Sequence, residues 1–258
     1  MTPTTYGLIF ALAVFLGMPL FLEAGRRIGF RRLEKDSEGA RQGFGVVDGA
    51  VFGLLGLLIA FTFSGAAARF DERRQLIIEE ANDIGTAYLR IDLLPESAQP
   101  RLRELFRQYL DSRLEIYRKL PDLEAAKAEL ARSIKLQNEI WTAAIAACRE
   151  SGSAPSHMLL LPALNQMIDI TTTRTEVTKI HPPVIIFFML AILSLASALL
   201  AGYSMAGGKS RSWIHIMVFS AVMAITVYVI IDIEYPRFGI IRVGGADRVL
   251  EELRESMK

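Results

Sequence analysis

The chain has 258 residues, 52% of them hydrophobic and 22% charged, with 29 Lys and Arg against 28 Asp and Glu for a net charge of +1. That hydrophobic content excludes a disordered chain, and the near-neutral balance, with no basic stripe, excludes nucleic acid as a partner. The apolar residues are unevenly placed: 6–22, 49–68, 182–208 and 213–231 contain no Asp, Glu, Lys or Arg. Each is close to or above the ~20 residues of helix that cross a bilayer, so a multi-pass membrane protein with four spanning helices is expected.

The first run, 6–22, lacks the basic leader and small-residue cleavage site of a secretory signal and meets Glu23, Arg26 and Arg27 instead, so it reads as the first span. A polar connection follows over 23–43, with six basic and four acidic residues, and Gly39, Gly43 and Gly45 are expected to break any long helix there. The second span covers about 44–68. Its small residues Gly45, Gly49, Gly53, Gly56, Ala60 and Ser64 recur three or four apart, which places them on one helix face as a ridge that lets another backbone approach closely. Asp48 stands near its start, where an ionisable group must be paired or wetted.

Residues 69–181 hold 16 Lys and Arg against 17 Asp and Glu and read as helical throughout, punctuated by Pro95, Pro121 and the stretch 152–155. Ile84, Tyr88 and Ile91 share a face, as do Leu102, Leu105 and Tyr109, and Asp122 opens an Ala-, Leu- and Lys-rich helix reaching about Glu150. Four helices result. No breaker separates the first from the second span, which is therefore expected to continue beyond the membrane. The fourth, about 156–180, is interrupted by His181-Pro182-Pro183. The third and fourth spans, 182–208 and 213–231, are joined by the short hairpin 209–212, and the tail 232–258 ends in a charged helical segment. The expected organisation is 1–68, two spans and their connection; 69–181, an extramembrane helical domain; 182–231, a span hairpin; and 232–258, the tail.

Catalysis finds little support. His157, His181 and His215 are far apart in the chain, Cys148 is the only cysteine, and no HExxH, GxSxG or P-loop occurs. Cys148 is expected to be a buried small hydrophobe. Glu79, Glu80 and Asp83 cluster on one helix but are expected to form a solvated acidic face. Neither a metal, nor a cofactor, nor an enzymatic activity is expected. Charge counting does not orient the chain: the short loops carry eight basic residues against five in the tail, and the juxtamembrane Arg69, Arg73, Arg74, Arg174 and Lys179 raise the second side to ten.

The stretch 57–74, L-L-I-A-F-T-F-S-G-A-A-A-R-F-D-E-R-R, resembles the exit of the second membrane helix in the bestrophin family. Phe61, Ala66, Arg69, Phe70, Glu72 and Arg74 occupy the phenylalanine, alanine and Arg-aromatic-x-Glu-x-Arg positions. After the fourth span, Glu234-x-Pro236-x-Phe238-Gly239 is similar to the family's Glu-x-Pro-Phe-Gly, with one extra residue before the phenylalanine. The whole chain, and residues 79–87 especially, looks like the bacterial bestrophin-like group of four-helix membrane proteins. The resemblance implies an all-α fold with four transmembrane helices per subunit and a helical cytoplasmic domain between the second and third. It further implies a homo-oligomer, five subunits around a central pore for inorganic ions, in lipid of the bacterial plasma membrane, with both termini on the cytoplasmic side.

Carried over, the family's apolar constriction falls on Gly53, Leu57 and Phe61, of which Gly53 departs from the large apolar type. The family's calcium clasp has no counterpart, because residues 240–245 contain no carboxylate, although Asp232 and Glu234 remain. The plain alternative for those two is that they cap the fourth span or pair with Arg237. The sign of the ion is open, since Arg69, Arg73 and Arg74 favour anions and Glu72 and Glu79 favour cations. The rival reading of the whole chain is a membrane-anchored scaffold or sensor whose helical domain binds a partner.

Overall fold

The computed structural model of the chain describes residues 3–35, 44–207 and 212–257. Among them every regular element is helical: α1 (Pro3–Leu33), α2 (Phe44–Leu89), α3 (Gln99–Arg118), α4 (Leu123–Ser151), α5 (Ala154–Val177), α6 (Val184–Ser204), α7 (Trp213–Glu234) and α8 (Arg248–Ser256), with short 3-10 turns at Arg90–Leu93 and Met205–Gly207. Four of these, α1, α2, α6 and α7, are long and apolar enough to span a bilayer. The all-α class with a helical segment inserted between the second and third spans is therefore the observed one.

The chain divides into two compact units, one of residues 1–69 and 181–235, the other of 70–180 and 236–258. The membrane unit is built on α1, which packs along both α6 and α7. Its core joins Val14, Met18 and Leu22 of α1 with Leu55 of α2, Ala198 of α6 and Ile216 and Met223 of α7. Glycine makes the α1 and α6 crossing close. A Cβ added to Gly25 would run into the Leu199 carbonyl, and one on Gly202 into the Leu22 carbonyl. The buried hydroxyls of Ser194 and Ser220 donate to Leu190 and Ile216 carbonyls one turn earlier, so neither is left unsatisfied in an apolar setting.

Two local expectations need correction. Helix α1 runs through the charged residues Glu23, Arg26 and Arg27 to Leu33, because Glu23 accepts from both arginines one turn on and supports the helix past the apolar run. Gly45 does not break a helix; it lies inside α2. Gly39 and Gly43 lie outside the described residues.

The second unit packs the lower half of α2 with α3, α4, α5 and α8 around Ile84, Phe106, Tyr109, Ile140, Leu164 and Leu250. Asp122 caps α4, accepting from the Glu124 and Ala125 amides at 3.1 and 3.0 Å. Gly152, at φ 60°, ends α4 in the left-handed conformation that glycine adopts without strain. Cys148 is buried there, and burial raises its thiol pKa. Gln137 Nε2 donates to the Tyr109 hydroxyl at 3.0 Å and to Thr171 Oγ1 at 2.9 Å, tying α3, α4 and α5 through a buried polar network.

Candidate pore helix and its exit

Helix α2 turns one stripe inward and leaves the other bare. Phe52, Leu55, Ile59, Thr62, Ala66 and Arg69 recur at alternating spacings of three and four, the repeat that keeps one face of a helix turned to its neighbours. Leu55 and Ile59 pack into the membrane core, the Phe52 ring lies 6.5 Å from that of Phe219, and Thr62 and Ala66 are buried. Asp48 continues this stripe and accepts a hydrogen bond from Ser204 Oγ at 2.6 Å, which answers the need for a partner at that position.

On the opposite side, Leu57 is 52% and Phe61 69% exposed. Ala60 and Ser64 are exposed as well. At Gly45, Gly49, Gly53 and Gly56 an added Cβ would meet nothing within 4 Å. Only 11% of the apolar window of α2 is buried, against 28%, 22% and 39% in α1, α6 and α7. The small-residue ridge and the three positions Gly53, Leu57 and Phe61 thus share the uncovered half of one helix.

Where the apolar part of α2 ends, three chain segments converge on one carboxylate. Glu234, at the end of α7, is buried; Arg69 Nε donates to its Oε1 at 2.9 Å, and His181 Nδ1 lies 3.4 Å from its Oε2. The His181 ring also stacks against Tyr235 at 4.5 Å. Arg237 is held by Asp247, with Nη2 donating to Oδ1 at 2.9 Å. Asp232, also buried, accepts from the Tyr228 hydroxyl at 3.0 Å. Beyond it the Pro236 carbonyl accepts from the Val243 amide at 3.2 Å and the Gly239 carbonyl from Arg242 Nε at 2.7 Å, so the motif closes a turn; Phe238 is half-buried within it.

Further along α2 the charges separate by role. Arg73 is buried and donates to the Ile180 carbonyl at 2.9 Å, and Arg74 pairs with Asp71 at 3.2 Å. Phe70 packs against the core of the helical unit. Glu72 and Glu79 are exposed and carry no ion pair among the described residues. Glu80 is not part of a solvated face. It is buried, with Arg113 Nε donating at 2.5 Å and Arg174 on its other oxygen. Sequence reasoning missed this cluster, although Glu80 stands between Ile77 and Ile84, and Arg113 falls four residues after Tyr109, both on buried stripes. Among the described residues no group of three His, Cys, Asp or Glu side chains is placed to hold a metal.

Residues 6–246 match the model of a family described as a bestrophin-like domain. Crystal structures of a bacterial bestrophin homolog from Klebsiella pneumoniae share the fold. A leucine-to-threonine variant gives a TM-score of 0.68 at 14% identity, covering 95% of this chain and 98% of the other. An isoleucine-to-threonine variant gives 0.66 at 14% over the same shares, and a tyrosine-to-alanine variant 0.63 at 13%, covering 97% and 98%. No curated protein sequence matches the chain.

Proposed function

The chain belongs to the bestrophin-like family, and from that premise we propose that it forms an oligomeric ion channel with its central pathway lined by α2. The observation that carries this reading is the bare face of α2. At Gly25 and Gly202 of the membrane unit a neighbouring backbone sits against the glycine. Gly45, Gly49, Gly53 and Gly56 of α2 have no such neighbour among the described residues, so that face is available to other copies. Five copies about an axis, the number implied by the sequence resemblance, would bring Leu57 and Phe61 into rings that hold back water and ions, with Gly53 leaving the outer level wider.

The same face carries Glu72 and Glu79 beyond the constriction. Arg69 and Arg74 are paired with Glu234 and Asp71, and Arg73 is buried against the Ile180 carbonyl, which leaves Glu72 and Glu79 as exposed carboxylates on this side of α2. We therefore read the permeant species as inorganic cations. Purified protein in liposomes tests both points. Leu57→Ala with Phe61→Ala should raise flux without loss of assembly, and Glu72→Gln with Glu79→Gln should lower the preference for cations over chloride. A parent and a double mutant that assemble normally and never conduct would replace the channel by the scaffold reading.

A further inference from the structure

The segment following α7 folds back within the helical unit and, with the end of α3, encloses a cavity of about 240 Å³. Its polar lining is Tyr117, Arg118, Arg237, Arg242, Asp247 and Glu251. The guanidinium groups are not equally committed. Arg237 is gripped by Asp247 and lies over the Tyr117 ring at 4.1 Å. Arg118 is shared between Glu115 and Glu251, each at 3.1 Å. Arg242 uses its Nε on the Gly239 carbonyl and has no acidic partner among the described residues.

Behind Tyr117 the imbalance continues. Arg174 and Arg113 approach the same ring at 4.8 and 6.0 Å and share the single carboxylate of Glu80. Burial, and then the charge on Arg237, lower the Arg174 pKa to about 9. Five arginines thus surround or back the cavity, against Glu80, Glu115, Asp247 and Glu251. The excess is positive, and Arg242 carries it at the exposed mouth of the pocket.

We propose that this cavity is a binding site for a small phosphate-type oxyanion, with Arg242 as its principal ligand and Arg237, held in place by Asp247 and Tyr117, as the second. A guanidinium fork matches such an anion with two parallel hydrogen bonds, and Arg242 retains its terminal nitrogens for that purpose. The volume is sufficient for a single phosphoryl group.

The test is thermal unfolding of the full-length protein in detergent, titrated with inorganic phosphate against chloride at equal ionic strength. Phosphate should raise the unfolding temperature saturably, and Arg242→Gln should weaken the apparent affinity about tenfold or more, the loss expected of one charge-assisted bidentate contact. Arg242→Lys, which keeps the charge and loses the fork, should fall between them, and Arg101→Gln should behave as the parent. A parallel arm with phosphatidic acid in the micelles separates sources. A shift there that depends on Arg242, with none from inorganic phosphate, assigns the oxyanion to a lipid headgroup and supports the site. No shift in either arm beyond the chloride control, or a shift that Arg242→Gln leaves intact, overturns it. None of these outcomes depends on conduction.

Discussion

Glu80 and Glu234 are both buried carboxylates with basic side chains against them, but water reaches one cluster and not the other. Arg113 and Arg174 are 1% and 5% exposed around Glu80, whereas Arg69 and His181 are 24% and 27% exposed around Glu234. Removing a carboxylate strands its partners, and the cost rises with how completely they are cut off from solvent. Glu80→Gln is therefore expected to destabilise by about 3–5 kcal/mol and Glu234→Gln by about 1–3 kcal/mol, read as a larger drop in unfolding temperature for the first in detergent. Equal drops, or the reverse order, would contradict the burial argument. Local residue roles were legible from sequence: Asp122 as a cap depends on its next three residues, and Cys148 as a buried group on its apolar neighbours. The Arg69 and Glu234 pair was not, since each residue stands out in its own motif but they lie 165 positions apart. Glu80 was misread because acidic clustering was weighed above helical phase.

At the scale of elements, one set of glycines packs within the chain and another faces open space, the face proposed for assembly. Gly25 and Gly202 bring α1 and α6 backbones together, so Gly25→Ala or Gly202→Ala forces the helices apart and should cost at least about 1–3 kcal/mol in any oligomeric state. Gly53→Leu or Gly56→Leu meets open space within the chain and should leave the protomer folded while reducing the mass of the assembly. Light scattering with thermal unfolding resolves the two effects; unchanged mass in both leucine variants would show that the bare face is not an interface. The four apolar helices, the continuation of α2 past the membrane and the break at His181-Pro182-Pro183 all follow from hydropathy and proline placement. The α1 and α6 crossing gave no such signal. Gly25 sits among Glu23, Arg26 and Arg27, outside the apolar run, and nothing nearby in sequence marks a glycine as a contact point.

For the whole molecule, orientation is the property that charge counting leaves balanced, and we propose, from what the sequence resemblance implies, that the helical unit is cytoplasmic. In a Cys148→Ala background, a cysteine at the exposed Lys35 should react with a membrane-impermeant thiol reagent in intact cells. One at the exposed Asn138 should react only after permeabilisation, and the reverse pattern would invert the topology. The length of α2 adds a further consequence. Its 46 residues at 1.5 Å per residue extend about 69 Å, more than twice the ~30 Å hydrocarbon thickness. A transmembrane voltage falls almost wholly across the lipid, so in the proposed channel an ion at Leu57 or Phe61 would sit within the electric field. One resting beside Glu72 or Glu79 would already have traversed it or have yet to enter. Blockers that lodge at the carboxylates should accordingly act with the same potency at every membrane potential, while anything that plugs the apolar rings should be driven in or out by voltage.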